Sequence, residues 1–292
     1  METPCPAPRS FRQLLDSPGL IVAPGAYDGI TARLVEQAGF PLVYMTGAGT
    51  AAARGYPDYG LLTLSEMVDN AAVLARSVSV PVLADADTGY GNELNVTRTV
   101  REFESRGVAG IHLEDQVSPK RCGHLDGKDV VARARFVSMI SAAVAARRSP
   151  DFVIVARTDA VAVHGLDEAV DRANAALDAG ADVAFVEAIE SIDEVAAIPR
   201  RVHGLCLLNI VPGGKTPITD LHDVESMGYR IALCPGLLLG ATVFIGDVVL
   251  KKLADTRQHP TSGRGSVGSF FSRFGAAEWD EVRRRYADVG ES

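Results

Sequence analysis

Residues 81–115 read PVLADADTGYGNELNVTRTVREFESRGVAGIHLED, and this stretch decides the fold. PVLADAD (81–87) is a short apolar run that ends in acids. LNVTRTVREFESRG (94–107) reads as a helix closed by a glycine, and VAGIHLED (108–115) is again short, apolar and acid-ended. Strand, helix and strand make one β-α-β unit. Strands that are apolar along their whole length are expected where helices cover both faces of a parallel sheet.

The unit recurs in both directions. Upstream lie GLIVAPG (19–25) and PLVYMTG (41–47); downstream lie FVIVARTD (152–159), VAFVEA (183–188), LCLLNI (205–210) and RIALCPG (230–236). Helical patterns such as DGITARLVEQAG (28–39), LSEMVDNAAVLARSV (64–78) and LDEAVDRANAALDAG (166–180) separate them. Eight such units predict a (β/α)8 TIM-type barrel, an α/β fold, with an open doubly wound sheet as the competing arrangement. Residues 1–256 are read as this barrel. Residues 257–292 are read as a Gly/Ser/Pro linker (His259 to Ser269) and a terminal amphipathic helix. Its apolar residues Phe270, Phe271, Phe274, Trp279, Val282 and Tyr286 need a surface, on their own barrel or on a neighbour's.

At 292 residues the chain suits one barrel, and 47% hydrophobic with 23% charged residues is an ordinary globular balance. The net charge of −8 argues against a nucleic-acid or anionic-membrane surface, so an anionic ligand would need local cations or a metal. Cys5, Cys122, Cys206 and Cys234 are scattered without a CxxC pair, which speaks against a zinc module or a disulfide scaffold. With no apolar signal core and no membrane-length apolar run, a soluble cytoplasmic protein is expected.

In such a barrel chemistry sits at the carboxyl ends of the strands. The ends are strongly polar: Tyr44 and Thr46, with Gly47; Asp85 and Asp87; His112, Glu114 and Asp115; Arg157, Thr158 and Asp159; Glu187; Asn209. Buried carboxylates are costly unless paired or metal-bound, so this many acids at one rim call for a cation. Asp85 and Asp87, spaced i, i+2, are expected on one strand face, and with Asp58 and Glu114 they make an all-oxygen site suited to Mg²⁺. Pairing with Arg157 is the plainer reading of the same acids. Cys122, in PKRCGHLDGK (119–128), has Lys120, Arg121 and His124 around it, and three cations predict a depressed thiol pKa. Cys206 and Cys234, inside strand patterns, read as inert. TGAGTAAARG (46–55) has a GxGxxA look, but a dinucleotide fingerprint would need Asp85 for a ribose, a residue already counted for metal. PGGKTP (212–217) lacks P-loop spacing, although loops after strands seven and eight often cradle anions.

YMTGAG, YPDYG, DADTGYG, IHLEDQ, PKRCGH, ARTDA, FVEA and NIVPGGKTP follow one another in an order and spacing that resemble the isocitrate lyase and phosphoenolpyruvate mutase superfamily, from Phe11 to Tyr286. PKRCGH after EDQ resembles the loop of the lyase branch, which includes 2-methylisocitrate lyase and 2,3-dimethylmalate lyase, and is shared with carboxyphosphonoenolpyruvate mutase. The resemblance implies Mg²⁺, or Mn²⁺, held by Asp85 and Asp87, with Asp58 and Glu114 acting through water. It implies that Tyr44, Thr46, Gly47 and Ala48 hold the 2-oxo-acid part, that Arg157 neutralises the enolate and that Gly123 and His124, beside Lys120, meet the second carboxylate. Glu187 and Asn209 would shape the far end of the site. Cys122 would be the general acid, and Tyr44 or a metal-bound hydroxide the base. A last helix exchanged between subunits, in a tetramer built from dimers, is also implied.

Such an enzyme cleaves the carbon–carbon bond of a 2-hydroxy di- or tricarboxylate to a 2-oxo acid and a carboxylate. A carboxyphosphonoenolpyruvate mutase, which moves a phosphorus group, is the alternative enzyme, and a silent binding or assembly barrel is the alternative outside catalysis. Tricarboxylate enzymes of the family carry an Arg shortly after the strand-eight Pro, where this chain reads PGLLLGATV (235–243). Only Arg264 or Lys215 could replace it, so a dicarboxylate such as 2,3-dimethylmalate is expected.

Overall fold

A computed structural model of the protein describes residues 10–217, 220–260 and 265–287; Cys5 and Arg264, singled out above, lie outside the described residues. Eight parallel strands close into a barrel in chain order: β1 (Ile21–Ala26), β2 (Val43–Met45), β3 (Val82–Asp85), β4 (Gly110–Glu114), β5 (Val153–Thr158), β6 (Val183–Val186), β7 (Leu205–Asn209) and β8 (Ile231–Cys234). All eight fall on the predicted segments, and the open-sheet alternative is excluded by the β1–β8 pairing.

Period-two alternation sorts the strand residues into two populations. Ala84, Ile111, Ile154 and Ala156 face outward and pack with helix residues such as Phe103, Phe136 and Ile140. Leu83, Val153, Val155, Val183, Phe185, Leu207, Ile231 and Leu233 form the interior cluster with Phe11, Leu14 and Leu15. Those last three residues come from the helix Phe11–Asp16, whose start is fixed by a reciprocal capping box between Ser10 and Gln13. Buried Arg230 holds the helix at its other end: the guanidinium donates to the carbonyl oxygens of Leu14, Leu15, Ser17 and Gly19, with Nε 3.1 Å from Leu15 O.

The helix predicted inside the opening stretch spans Glu93–Ser105, and Gly107 follows at φ +82°, a left-handed value that ends it where the glycine suggested. The register then decides which interior residues become neighbours at the top: Asp85 pairs with His112, and Glu114 with Arg157.

The chain divides into two compact units, Met1–Gly240 and Ala241–Ser292. The division falls inside the helix Leu237–Thr256, earlier than the linker composition suggested, and that helix has no buried residue. In the second unit the helices Val267–Ser272 and Ala276–Ala287 follow. Phe270 meets Phe271 and Phe274 ring to ring, while Trp279 is 72% and Tyr286 65% exposed. No helix among the described residues is long and apolar enough to cross a membrane.

Candidate active site

The interior columns change character as they climb. Leu83 is followed two residues later by Asp85, Gly110 by His112 and Glu114, Val155 by Arg157, Phe185 by Glu187, and Leu207 by Asn209. The same period that fills the floor with hydrocarbon therefore places a ring of polar, mostly ionisable groups at the strand ends. A cavity of about 210 Å³ opens there, lined by Tyr44, Thr46, Ala48, Asp58, Asp85, Cys122, Gly123, His124, Arg157, Glu187 and Asn209, with Val211, Pro235, Gly236 and Leu239 as its apolar side.

Asp87 reaches the site by a different route from the one expected. β3 ends at Asp85, and Asp87 stands at φ +46° with its N–H donating to Asp85 Oδ1 at 2.9 Å. The shared strand face is thus replaced by a turn, in a left-handed conformation that Asp tolerates better than most residues. The four expected metal acids fall into two groups. Lys120 Nζ lies 2.6 Å from Asp58 Oδ1 and 3.0 Å from Asp87 Oδ1. Ligand atoms of Asp85 and Glu114 instead lie with His112 within 4.8 Å of one another, all three residues buried. From the sequence His112 is only one more polar strand-end residue. Its Nε2 is 2.9 Å from the Tyr44 hydroxyl and 3.5 Å from Asp85 Oδ1, and its Nδ1 has no hydrogen bond.

The residues fit a divalent cation. Glu114 is fully buried and neither carboxylate oxygen has a hydrogen bond; Arg157 Nη1 lies 3.2 Å from its Oε2. Burial pushes the Glu114 carboxyl well above its ordinary pKa and pushes Asp87 up to about 6. Such a cluster is strained by its own negative charge, and hard oxygen donors with an adjoining imidazole suit Mg²⁺ or Mn²⁺. Burial lowers His112 to about 4, so it is a neutral imidazole at pH 7.

Arg157 is oriented before any ligand arrives. Nε and Nη2 bond Asp159 Oδ2 and Oδ1 at 2.9 and 3.1 Å, and the guanidinium lies 5.2 Å from the Phe185 ring centre. Asp159 is braced by buried Asp115, which accepts from its N–H, from the Thr158 hydroxyl and from Arg172 Nη1 at 2.8, 2.6 and 3.1 Å. Asp115 and Asp159 were visible as strand-end acids without a role. Arg172, on a helix, carried no signal at all.

The PKRCGH loop is seated on this ring. The Cys122 N–H donates to Asp58 O at 3.1 Å; His124 Nε2 lies 3.0 Å from Glu187 Oε1, and His124 Nδ1 accepts from the Lys215 N–H at 3.0 Å. Asn209 Nδ2 donates to Glu187 Oε1 at 3.1 Å. Gly123 is pressed so closely that a Cβ there would sit 2.5 Å from Arg157 Nη2 and 2.5 Å from Glu187 Cγ. Gly47 meets a similar constraint, since a Cβ would fall 2.3 Å from Asp85 Oδ2. Thr46 caps the helix Gly47–Ala53, which is what the GxGxxA segment forms.

The expected depression of the Cys122 pKa is not found. Lys120 is spent on Asp58 and Asp87, and Arg121 lies over the Tyr59 ring at 5.4 Å, so burial wins and the thiol pKa is raised. Tyr44 is raised well above 10, first by burial and then by Asp85. The Lys215 ammonium pairs with Asp126 at 2.7 Å and Glu190 at 3.2 Å, which removes it as a spare cation for a ligand.

The family model for phosphoenolpyruvate phosphomutase matches residues 11–249. The chain belongs to the phosphoenolpyruvate mutase/isocitrate lyase superfamily. It is 42% identical to the 2,3-dimethylmalate lyase of Eubacterium barkeri over 95% of this chain and 97% of that one. It is 46% identical to a protein described as probable 2-methylisocitrate lyase 1 from Corynebacterium glutamicum, over 87% and 82%. Among solved structures, oxaloacetate acetylhydrolase in complex with the inhibitor 3,3-difluorooxalacetate superposes with a TM-score of 0.93 at 38% identity, covering 98% of each chain. Superfamily membership makes the polar strand-end ring the place to look for chemistry, and it leaves the reaction to the site's own groups.

Proposed function

We propose that the protein is a Mg²⁺-dependent carbon–carbon lyase that cleaves a small 2-hydroxy dicarboxylate, 2,3-dimethylmalate-like, to a 2-oxo acid and a carboxylate. The observation that carries this reading is the convergence of the Cys122 thiol, the Arg157 guanidinium and the Asp85 carboxylate on one cavity. Its relatives among the lyases support it. Asp85 and Glu114, with Asp87, Asp58 and His112 close by, would hold the cation. When bound it supplies Lewis-acid stabilisation of charge that develops on the substrate's oxygens.

The residues present divide the remaining work. The hydroxyl carbon becomes the carbonyl of the 2-oxo acid, the carbon–carbon bond breaks, and the electron pair emerges on a carbon beside a carboxylate. Arg157, held rigid by Asp159, stabilises that developing charge without having to reorganise. Cys122 Sγ gives its proton to the same carbon, and its raised pKa keeps the proton available at neutral pH. Thr46, Gly47 and Ala48 take the 2-oxo-acid half; Gly123 and His124 face the other half, with Glu187 and Asn209 behind them, and Lys120 acts indirectly by holding Asp58 and Asp87. Tyr44, kept neutral by burial, serves as a hydrogen-bonding hydroxyl on the substrate's oxygens, and the proton leaving the substrate hydroxyl goes to a cavity-lining carboxylate, for which Asp58 is the candidate.

Substrate size follows from charge. Arg157 is the one permanent cation lining the cavity among the described residues, and Ala48, Val211, Pro235 and Leu239 offer hydrocarbon. A third carboxylate would enter without a partner, forgoing roughly 1.5–3 kcal/mol per charge-assisted bond, or about 10- to 10⁴-fold in kcat/KM for one or two bonds. In this reading the exposed apolar helices of the second unit are covered in a cytoplasmic homo-oligomer that exchanges the last helix between subunits. The test is a panel of 2-hydroxy di- and tricarboxylates with Mg²⁺, followed for 2-oxo acid release. Turnover of 2,3-dimethylmalate above 2-methylisocitrate is expected. No 2-oxo acid from any member, with turnover of a carboxyphosphonate instead, would overturn the lyase reading in favour of the mutase.

A further inference from the structure

Lys128 belongs to none of the roles above, yet its ammonium is buried at the centre of the site's framework. The side chain is 1% exposed, and Nζ donates to the carbonyl oxygen of Gly123 and to Asp159 Oδ1, the latter at 3.0 Å. Asp159 is the same carboxylate that grips Arg157 through two bonds. Gly123 lies between Cys122 and His124, and its α-carbon is packed against Arg157 and Glu187 too closely for any side chain. One ammonium therefore bridges the backbone of the thiol-bearing loop to the anchor of the guanidinium.

We infer that Lys128 is a positioning residue: it clamps the Gly123 carbonyl to the Asp159–Arg157 pair and so sets the distance between the Cys122 thiol and the charge-stabilising guanidinium. A lysine suits this task because a compact ammonium donates in several directions at once, to a carbonyl and a carboxylate together. Without it the Gly123 carbonyl loses its side-chain donor and Asp159 Oδ1 keeps Arg157 Nη2 alone, while the rest of the loop stays held by the Cys122 N–H on Asp58, by Lys120 and by His124 on Glu187. Its kinetic consequence rests on Cys122 and Arg157 acting as proposed above; its structural consequence does not.

The experiment compares wild type with Lys128→Met and Lys128→Arg, full-length and with Mg²⁺. N-ethylmaleimide adducts are mapped to individual cysteines by peptide mass spectrometry alongside steady-state kinetics. In K128M, Cys122 is expected to label about tenfold faster or more, while Cys206 and Cys234 label at their wild-type rates, the signature of local release. kcat should fall about 10²-fold, the cost of roughly 1 Å of misplacement, with KM changed far less. K128R, which restores a charge opposite Asp159, should recover part of both effects. Wild-type labelling of Cys122 in a cooperatively melting K128M overturns the inference, as does faster labelling of all three cysteines together. If K128M does not fold, Asp159→Asn carries the same test, and a wild-type Cys122 labelling rate there has the same force. Should the lyase reading fail instead, C122S keeps its kcat while the K128M labelling response persists.

Discussion

A thiol that must deliver a proton has to reach the reaction still protonated, and burial ensures this at Cys122. Activity that depends on the thiol is then present at low and neutral pH and is lost as pH rises through the raised pKa. The alkaline limb of the kcat profile should lie above the ordinary thiol value of about 8.5; a limb well below it would assign the titration to another group. Cys122→Ser should retain the fold and lose about 10²-fold or more in kcat, measured with protein of unchanged melting temperature. Glu114 makes the opposite argument, because its buried oxygens lack donors. Glu114→Gln removes a carboxylate that burial disfavours and that only the Arg157 ion pair offsets, so it should melt higher than wild type in EDTA and lose the rise in Tm that Mg²⁺ gives wild type. A lower Tm for the variant in EDTA would mean the carboxylate is already satisfied by Arg157. The residue-level error in reading the sequence lay with Cys122: adjacent cations in PKRC look like neighbours of the thiol, but their long side chains are drawn away to Asp58, Asp87 and Tyr59.

At the scale of elements, strands were legible because an apolar run buried on both faces has few readings, and each run ended in a glycine or a polar cluster. Turns were less so. Asp87 seemed to continue β3 because period two is all that spacing offers, whereas the chain bends one residue after Asp85. The helix Phe11–Asp16 shows how far apart in sequence the determinants of one element can lie. Its last carbonyls are satisfied by Arg230, at the entrance to β8, a contact that no local pattern announces. Arg230→Ala leaves those carbonyls without their donor and should cost about 2–3 kcal/mol. For a unit of this size that is a fall in Tm of roughly 5–10 °C, with kcat unchanged below the transition. An unaltered Tm would show that water replaces the guanidinium at no cost.

For the whole molecule, the barrel and the location of its site were legible because eight repeats fix topology and topology fixes which strand ends meet. The pairings within the site were not, since Lys120, Lys128, His112 and Arg172 each choose among several acids only in three dimensions. Exhaustive chelation should abolish turnover, and Mg²⁺ or Mn²⁺ should restore it; full activity after chelation and dialysis would remove the metal from the reaction. Truncation after Thr256 removes Phe270, Trp279 and Tyr286 and should shift the particle to smaller or aggregated species in light scattering, whereas unchanged mass and Tm would deny the helix an assembly role. The interior columns carry a consequence for directed evolution. Ile21, Val153, Leu207 and Ile231 sit in the hydrocarbon floor, while Ala48, Val211, Pro235 and Leu239 form the apolar side of the cavity, and neither set belongs to the ionic ring. Randomising the floor samples thermal tolerance at nearly constant selectivity, randomising the apolar side of the cavity does the reverse, and winners from the two libraries should combine with little epistasis because the two sets share no packing cluster.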